Sequence, residues 1–170
     1  MECDTNLIIF VEGPDDQRFL RNYFSNQTNI QFFEYSTKKK ETIKKYMQVI
    51  KKRVDQDYLF FADSDGKTIE DRKKDVLSTY CECEYDKIIV VCFEIESWYL
   101  AGISLQNREK MKIKKKFRCT DTLTKEFFDS TIPTQYRSRI DYMIEILKIF
   151  DLELAVQTNK SFCLFNKKMA

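Results

Sequence analysis

The chain predicts an α/β fold: a mostly parallel central sheet of about four strands flanked by helices, followed by a helical C-terminal third. Three observations carry this reading. The apolar runs Leu7 to Val11, Tyr58 to Ala62 and Ile88 to Phe93 each lead straight into acidic residues, as buried parallel strands do when they deliver a side chain to a sheet edge. Segments of helical period separate them, giving a β-α-β-α progression. Beyond Ala101-Gly102 the alternation stops.

Each element has its own signal. Leu7 to Val11 runs into Glu12, the turn pair Gly13-Pro14, and Asp15, which is placed to cap a helix with Phe19, Leu20, Tyr23 and Phe24 on one face. That helix ends near Ser25-Asn26, and Ile30 to Tyr35 alternates as a second strand. Thr42 to Val54 carries Ile43, Tyr46, Met47, Ile50 and Val54 at helical intervals between lysines. Tyr58 to Ala62 is the third strand, Thr68 to Tyr80 the third helix and Lys87 to Phe93 the fourth strand, joined by right-handed crossovers. In the remainder, Leu123 to Asp129 reads as a short helix, and Ile140 to Phe150 as a longer one with Ile140, Met143, Ile144, Leu147 and Phe150 on one stripe. The expected division is a core over 1–104 and a helical extension over 105–170 packed on the same domain.

At 170 residues the chain suits one domain with a core beneath one sheet. Its net charge of +2 comes from 29 basic and 27 acidic residues, so nucleic-acid affinity requires local clustering. There is no histidine, which removes His-activated nucleophiles and His-metal sites and leaves carboxylates and lysines as catalytic groups. Six cysteines, Cys3, Cys81, Cys83, Cys92, Cys119 and Cys163, form no C-x-x-C pair and follow no signal peptide. Free thiols in a reducing cytoplasm are expected. Cys81 and Cys83 lack the second pair that a zinc site needs, and no apolar run approaches the ~20 residues of a membrane span.

If the strands are parallel neighbours, Glu12, Asp63, Asp65, Glu94 and Glu96 meet at one carboxyl edge, where open α/β sheets bind ligands. Carboxylates on loops suit Mg²⁺ or Mn²⁺, hard ions that take oxygen ligands and serve phosphate chemistry. In an extended Asp-x-Asp both side chains point the same way. Taken singly, Asp63-Ser64-Asp65-Gly66 reads as a turn and Asp15-Asp16 as a helix cap; three acidic edges together favour a metal site. Glu94 and Glu96 read either as ligands of a second ion or, for Glu96, as a first-turn residue favoured by the helix dipole. Ser161 is expected to cap the last helix. The segment Lys110 to Arg118, with Lys112, Lys114, Lys115, Lys116 and Arg118 interleaved with Met111, Ile113 and Phe117, reads as a phosphate-backbone grip. A second basic stretch, Lys38 to Arg53, reads equally as a grip or as a solvated helix face.

A strand ending in Glu12-Gly13 with Asp16 four positions after the glutamate, then a strand ending in Asp63-x-Asp65, resembles the Toprim domain shared by topoisomerases, bacterial primases, RecR-type repair proteins and OLD-family nucleases. Glu94 to Ala101 and Asn159-Lys160-Ser161-Phe162 resemble segments of small Toprim-like proteins allied to the OLD nucleases. The resemblance implies a Rossmann-like core and a metal-dependent nuclease acting on DNA or RNA. It further implies Glu12 as general acid or base, Asp63 and Asp65 as metal holders supported by Asp16, Glu94 and Glu96, and Lys160 neutralising the transition-state phosphate. Alternative functions are a non-catalytic nucleic-acid-binding or scaffold module and a nucleotidyl- or phosphotransferase. With glycine only at 13, 66 and 102 no Walker-type loop exists, so any ATPase function must come from a separate partner chain.

Overall fold

The computed structural model describes residues 5–169, so Cys3 lies outside the described residues. Backbone contacts divide the chain into two compact units, 1–90 and 91–170. The boundary precedes Glu94, so Glu94 to Gly102 belong with the helical unit.

The first unit alternates β1 (Asn6–Val11), α1 (Pro14–Tyr23), β2 (Ile30–Glu34), α2 (Lys40–Ile50), β3 (Gln56–Asp63) and α3 (Ile69–Thr79), and leads into β4 (Ile88–Val91). The strands form a parallel sheet in the order β2-β1-β3-β4. Leu7 pairs with Ile30 on one side and Asp57 on the other, and Phe10 with Phe33 and Phe60. Because β2 lies on one side of β1 and β3 on the other, the chain changes direction across the sheet between β1 and β3. A crevice opens at the carboxyl ends of the strands at such a switch.

The side-chain alternation expected of a sheet covered on both faces is present. Ile8, Phe10, Tyr58, Phe60 and Ala62 are buried with Ile43, Met47 and Ile50 of α2 and Val76 of α3. Phe10 is the hub, its ring 5.2 Å from Phe33, 5.8 Å from Phe60 and 5.8 Å from Tyr46. Ile9, Val11, Leu59 and Phe61 are also buried, and α1 buries Phe19 and Leu20. Helix α2 stops at Ile50 rather than Val54. Val54, expected on its apolar stripe, is 99% exposed.

The second unit is helical: α4 (Glu96–Ala101), α5 (Leu105–Lys110), α6 (Lys125–Thr131), α7 (Arg139–Lys148), α8 (Leu152–Thr158) and α9 (Lys160–Met169). Side-chain caps start most of them, with Ser104, Thr124, Ser138 and Asp151 each accepting from a backbone N–H three residues on. The buried face of α7 is rotated from the expected stripe. Tyr142, Met143 and Ile146 are buried, while Ile140 and Ile144 are 49% and 41% exposed.

Gly102 ends α4 beside Phe150, and a Cβ there would lie 2.5 Å from two ring carbons and 2.8 Å from Cγ. Cγ is the root of the ring, so the whole side chain must move. Gly102→Ala is expected to cost about 1–3 kcal/mol, as overpacking does. Urea denaturation measures it, and an unchanged midpoint would show that Phe150 yields freely.

Candidate functional site

Glu12 leaves the end of β1 and Asp63 the end of β3. Continuing the pairing of Phe10 with Phe60 by two residues sets Glu12 opposite Ala62, with Asp63 one step further on. Asp16 reaches back from the first turn of α1, its Oδ2 accepting from Gly13 N at 2.8 Å. This is the reciprocal half of a capping box and explains the spacing of three between Gly13 and Asp16. Asp16, not Asp15, thus closes the helix start; Asp15 pairs with Arg18 one turn along.

A residue the sequence reading did not assign feels the charge of all three carboxylates. Tyr35 immediately follows β2, stacks on Phe60 at 4.7 Å, and points its hydroxyl into the carboxyl edge. The hydroxyl lies 3.0 Å from the Phe61 carbonyl and 3.5 Å from Glu12 Oε2. Burial first, then the charges of Glu12, Asp16 and Asp63, push the phenol far above its ordinary range, with Arg72 opposing. Tyr35 is therefore a neutral donor. It has one proton, and the shorter bond takes it to the Phe61 carbonyl, so the 3.5 Å approach to Glu12 is at most the weak arm of a shared hydrogen bond.

Asp65 is not among the charges that act on Tyr35. The Asp63-to-Gly66 segment is a turn closed by Lys67 N to Ser64 O at 2.9 Å, with Asp65 at φ 50 and Gly66 at φ 76. Two successive positive φ values demand the residue types found there. The expected extended Asp-x-Asp is thus broken after Asp63, and Asp65 is 63% exposed and ion-paired to Arg72 at 3.3 Å. Arg72, on α3, also escaped the sequence reading. Its Nε–H is buried without a hydrogen-bond partner among the described atoms, so charge rather than full hydrogen bonding holds it near the acidic edge.

Among the described residues no three Asp, Glu or Cys side chains close on one point. A cage of Glu12, Asp63 and Asp65 is therefore not formed. The donors present suit an ion that takes one or two carboxylates and keeps its waters, the habit of Mg²⁺, and the long Tyr35 contact leaves Glu12 able to serve.

In the second unit, Glu94 and Glu96 have protein partners. Glu94 Oε2 accepts from Lys125 N at 2.7 Å, at the start of α6, where a negative charge complements the helix dipole. Phe93, just before it, holds φ 55, a conformation that costs a bulky residue of order 1–3 kcal/mol. Glu96 is buried and ion-paired to Arg139, which also binds Asp129 at 2.8 Å. Burial holds the Glu96 carboxyl above the usual glutamate range despite the arginine.

The segment Asn159-Lys160-Ser161-Phe162 clasps the segment around α4. Asn159 Oδ1 caps α9 by accepting from Phe162 N at 2.9 Å, while its amide donates to Ser97 and Thr120. Ser161, expected to cap, is instead buried, accepting from Trp98 Nε1 at 2.8 Å and Cys92 N at 3.0 Å. Lys160 between them is exposed, its backbone N–H held by Asp121 at 2.7 Å.

The basic segment alternates by side. Met111, Ile113 and Phe117 are buried, and Lys112, Lys114, Lys115, Lys116 and Arg118 are exposed. Arg108 anchors it from beneath, bonding the carbonyls of Ile103 and Phe117 with its guanidinium 3.6 Å from the Phe117 ring. No family model, curated protein or solved structure matches the chain.

Proposed function

We propose that the chain is a Toprim-type nuclease that cleaves phosphodiester bonds in DNA or RNA with Mg²⁺ or Mn²⁺ at the carboxyl edge of the sheet. The observation that carries this reading is that β1 and β3, neighbours at the switch in the sheet, end in Glu12 and Asp63, with the Tyr35 hydroxyl 3.5 Å from Glu12.

Glu12 and Asp63 would hold the ion, which when bound supplies charge stabilisation for the phosphoryl oxygens. Asp16 fixes the start of α1 and with it the loop behind Glu12. Glu12 is placed to take or return a proton, and Tyr35 keeps its own proton, given to the Phe61 carbonyl, with its hydroxyl 3.5 Å from the glutamate. Arg72 brings positive charge to an edge that would otherwise repel a phosphate. Glu94 and Glu96, tied to Lys125 and Arg139, support a structural role better than a second metal position.

The lack of a three-carboxylate group among the described residues favours a second reading, a non-catalytic module that only binds nucleic acid. Incubating the purified chain with DNA and RNA in Mn²⁺ separates the two: product supports the nuclease, and intact substrate with retained binding supports the module.

Asp63→Ala with Asp65→Ala tests the site itself. The parent should gain melting temperature with Mn²⁺, because an ion that binds only the folded state stabilises it. The variant should fold, be as stable as the parent without metal, and show no gain. Equal shifts would move the metal site elsewhere.

A further inference from the structure

A cavity of about 450 Å³ lies between the basic segment and the loop after α6, within the ~300–1,000 Å³ range of small-molecule sites. Lys112, Lys114 and Lys115 line one wall, Thr134 adds a hydroxyl, and Ile132 and Pro133 form an apolar surface. No carboxylate lines it. Gln135 Nε2 donates to the Met111 carbonyl at 3.2 Å, tying the two walls together at one end. A separate hollow of about 330 Å³ is lined by Lys116 and Arg118 along with Lys114 and Lys115, so the cations of the segment serve two sides.

Three lysines with no acid demand an anion. The apolar surface beside them suits a flat base or sugar, and a hollow of about 450 Å³ is on the scale of one small ligand rather than a continuous strand. Burial of Met111, Ile113 and Phe117 holds the backbone that carries the lysines, so the ordering cost on binding falls on the exposed lysine side chains.

We infer that this pocket takes a terminal nucleotide bearing a phosphomonoester, from the end of a strand or as a free nucleotide. A terminal phosphate carries more charge than an internal diester and offers more oxygens to the lysines. The inference deepens the nucleic-acid reading and rests on it only for the strand as source.

Fluorescence anisotropy in EDTA, which removes divalent ions from the carboxylate edge, would compare short single strands of one sequence with phosphorylated or hydroxyl ends. The phosphorylated strand should bind about tenfold tighter, the scale of one charge-assisted hydrogen bond, and AMP should compete for the difference. Lys112→Gln with Lys114→Gln and Lys115→Gln should abolish the preference while the hydroxyl-ended strand still binds in low salt. Lys116→Gln with Arg118→Gln, facing the other hollow, should keep it. AMP binding that the triple variant loses, with no strand binding at all, would support the pocket with a free nucleotide and defeat the nucleic-acid reading. Equal affinity for both strands without AMP binding, or a preference that survives in the triple variant, would overturn the pocket.

Discussion

Glu12→Gln is expected to slow phosphodiester cleavage by about 10²- to 10⁴-fold, the usual contribution of a positioned acid or base. Glutamine keeps the shape of the side chain and an oxygen for the Tyr35 contact at 3.5 Å, so the edge should stay intact. Removing one negative charge from a site shared with Asp16 and Asp63 relieves repulsion, and stability should be unchanged or higher. Single-turnover rates at saturating Mn²⁺ measure the effect on chemistry, and denaturation at the same pH checks the fold. A variant that cleaves at the parental rate would leave Glu12 as a structural end to β1 and move proton transfer to another group.

Arg139→Met is expected to cost about 3–5 kcal/mol at neutral pH, the penalty for leaving a buried charge without its partner. The Glu96 side chain is only 6% exposed, and burial already raises its pKa while Arg139 holds it down. The sign of the pH dependence follows. A carboxyl whose folded pKa lies above its unfolded value favours folding when protonated, below about pH 4.3. That contribution disappears as the pH rises through the folded value. Without Arg139 the folded pKa rises further, so the variant should approach the parent in acid and fall away from it toward neutrality. Urea midpoints at pH 4 and pH 7 show this. A loss below about 1 kcal/mol at pH 7, the scale of a surface pair, would mean that water reaches the pair. Glu96→Met with Arg139→Met should recover much of the loss, since an apolar pair of similar volume replaces the ions.

The parallel strands were legible because a strand buried on both faces writes its burial into consecutive apolar residues, as in Ile8 to Val11 and Tyr58 to Ala62. Their order followed less directly. Nothing local to Ile30–Glu34 says that it lies beside β1 on the side away from β3. The edge itself was half legible. Glu12 and Asp63 are placed by the strands that end in them, whereas Asp65 was misread because Gly66 lets the chain turn at positive φ instead of staying extended. Tyr35 and Arg72 were missed because their roles depend on what surrounds them, and a tyrosine ending an alternating strand looks like packing. On α7 the apolar pattern fits two overlapping faces, and Tyr142 won the buried one through its hydroxyl bond to Thr131 at 3.0 Å. Asn159 took the cap expected of Ser161 for a similar reason, since Trp98 supplies an indole N–H that the sequence does not place near Ser161.

The anchoring of the basic segment bears on how the chain survives proteases. Lys112, Lys114, Lys115, Lys116 and Arg118 offer trypsin five adjacent cleavage points in a stretch with no regular secondary structure, the kind of sequence that is usually cut first. Productive cleavage requires an extended, released backbone, and here release means withdrawing Met111, Ile113 and Phe117 from burial and parting Arg108 from the Phe117 carbonyl. When opening and closing are fast compared with cutting, the rate of nicking follows the population of that open form. Limited digestion of this one segment therefore reports a local opening free energy, separate from the stability of the chain as a whole.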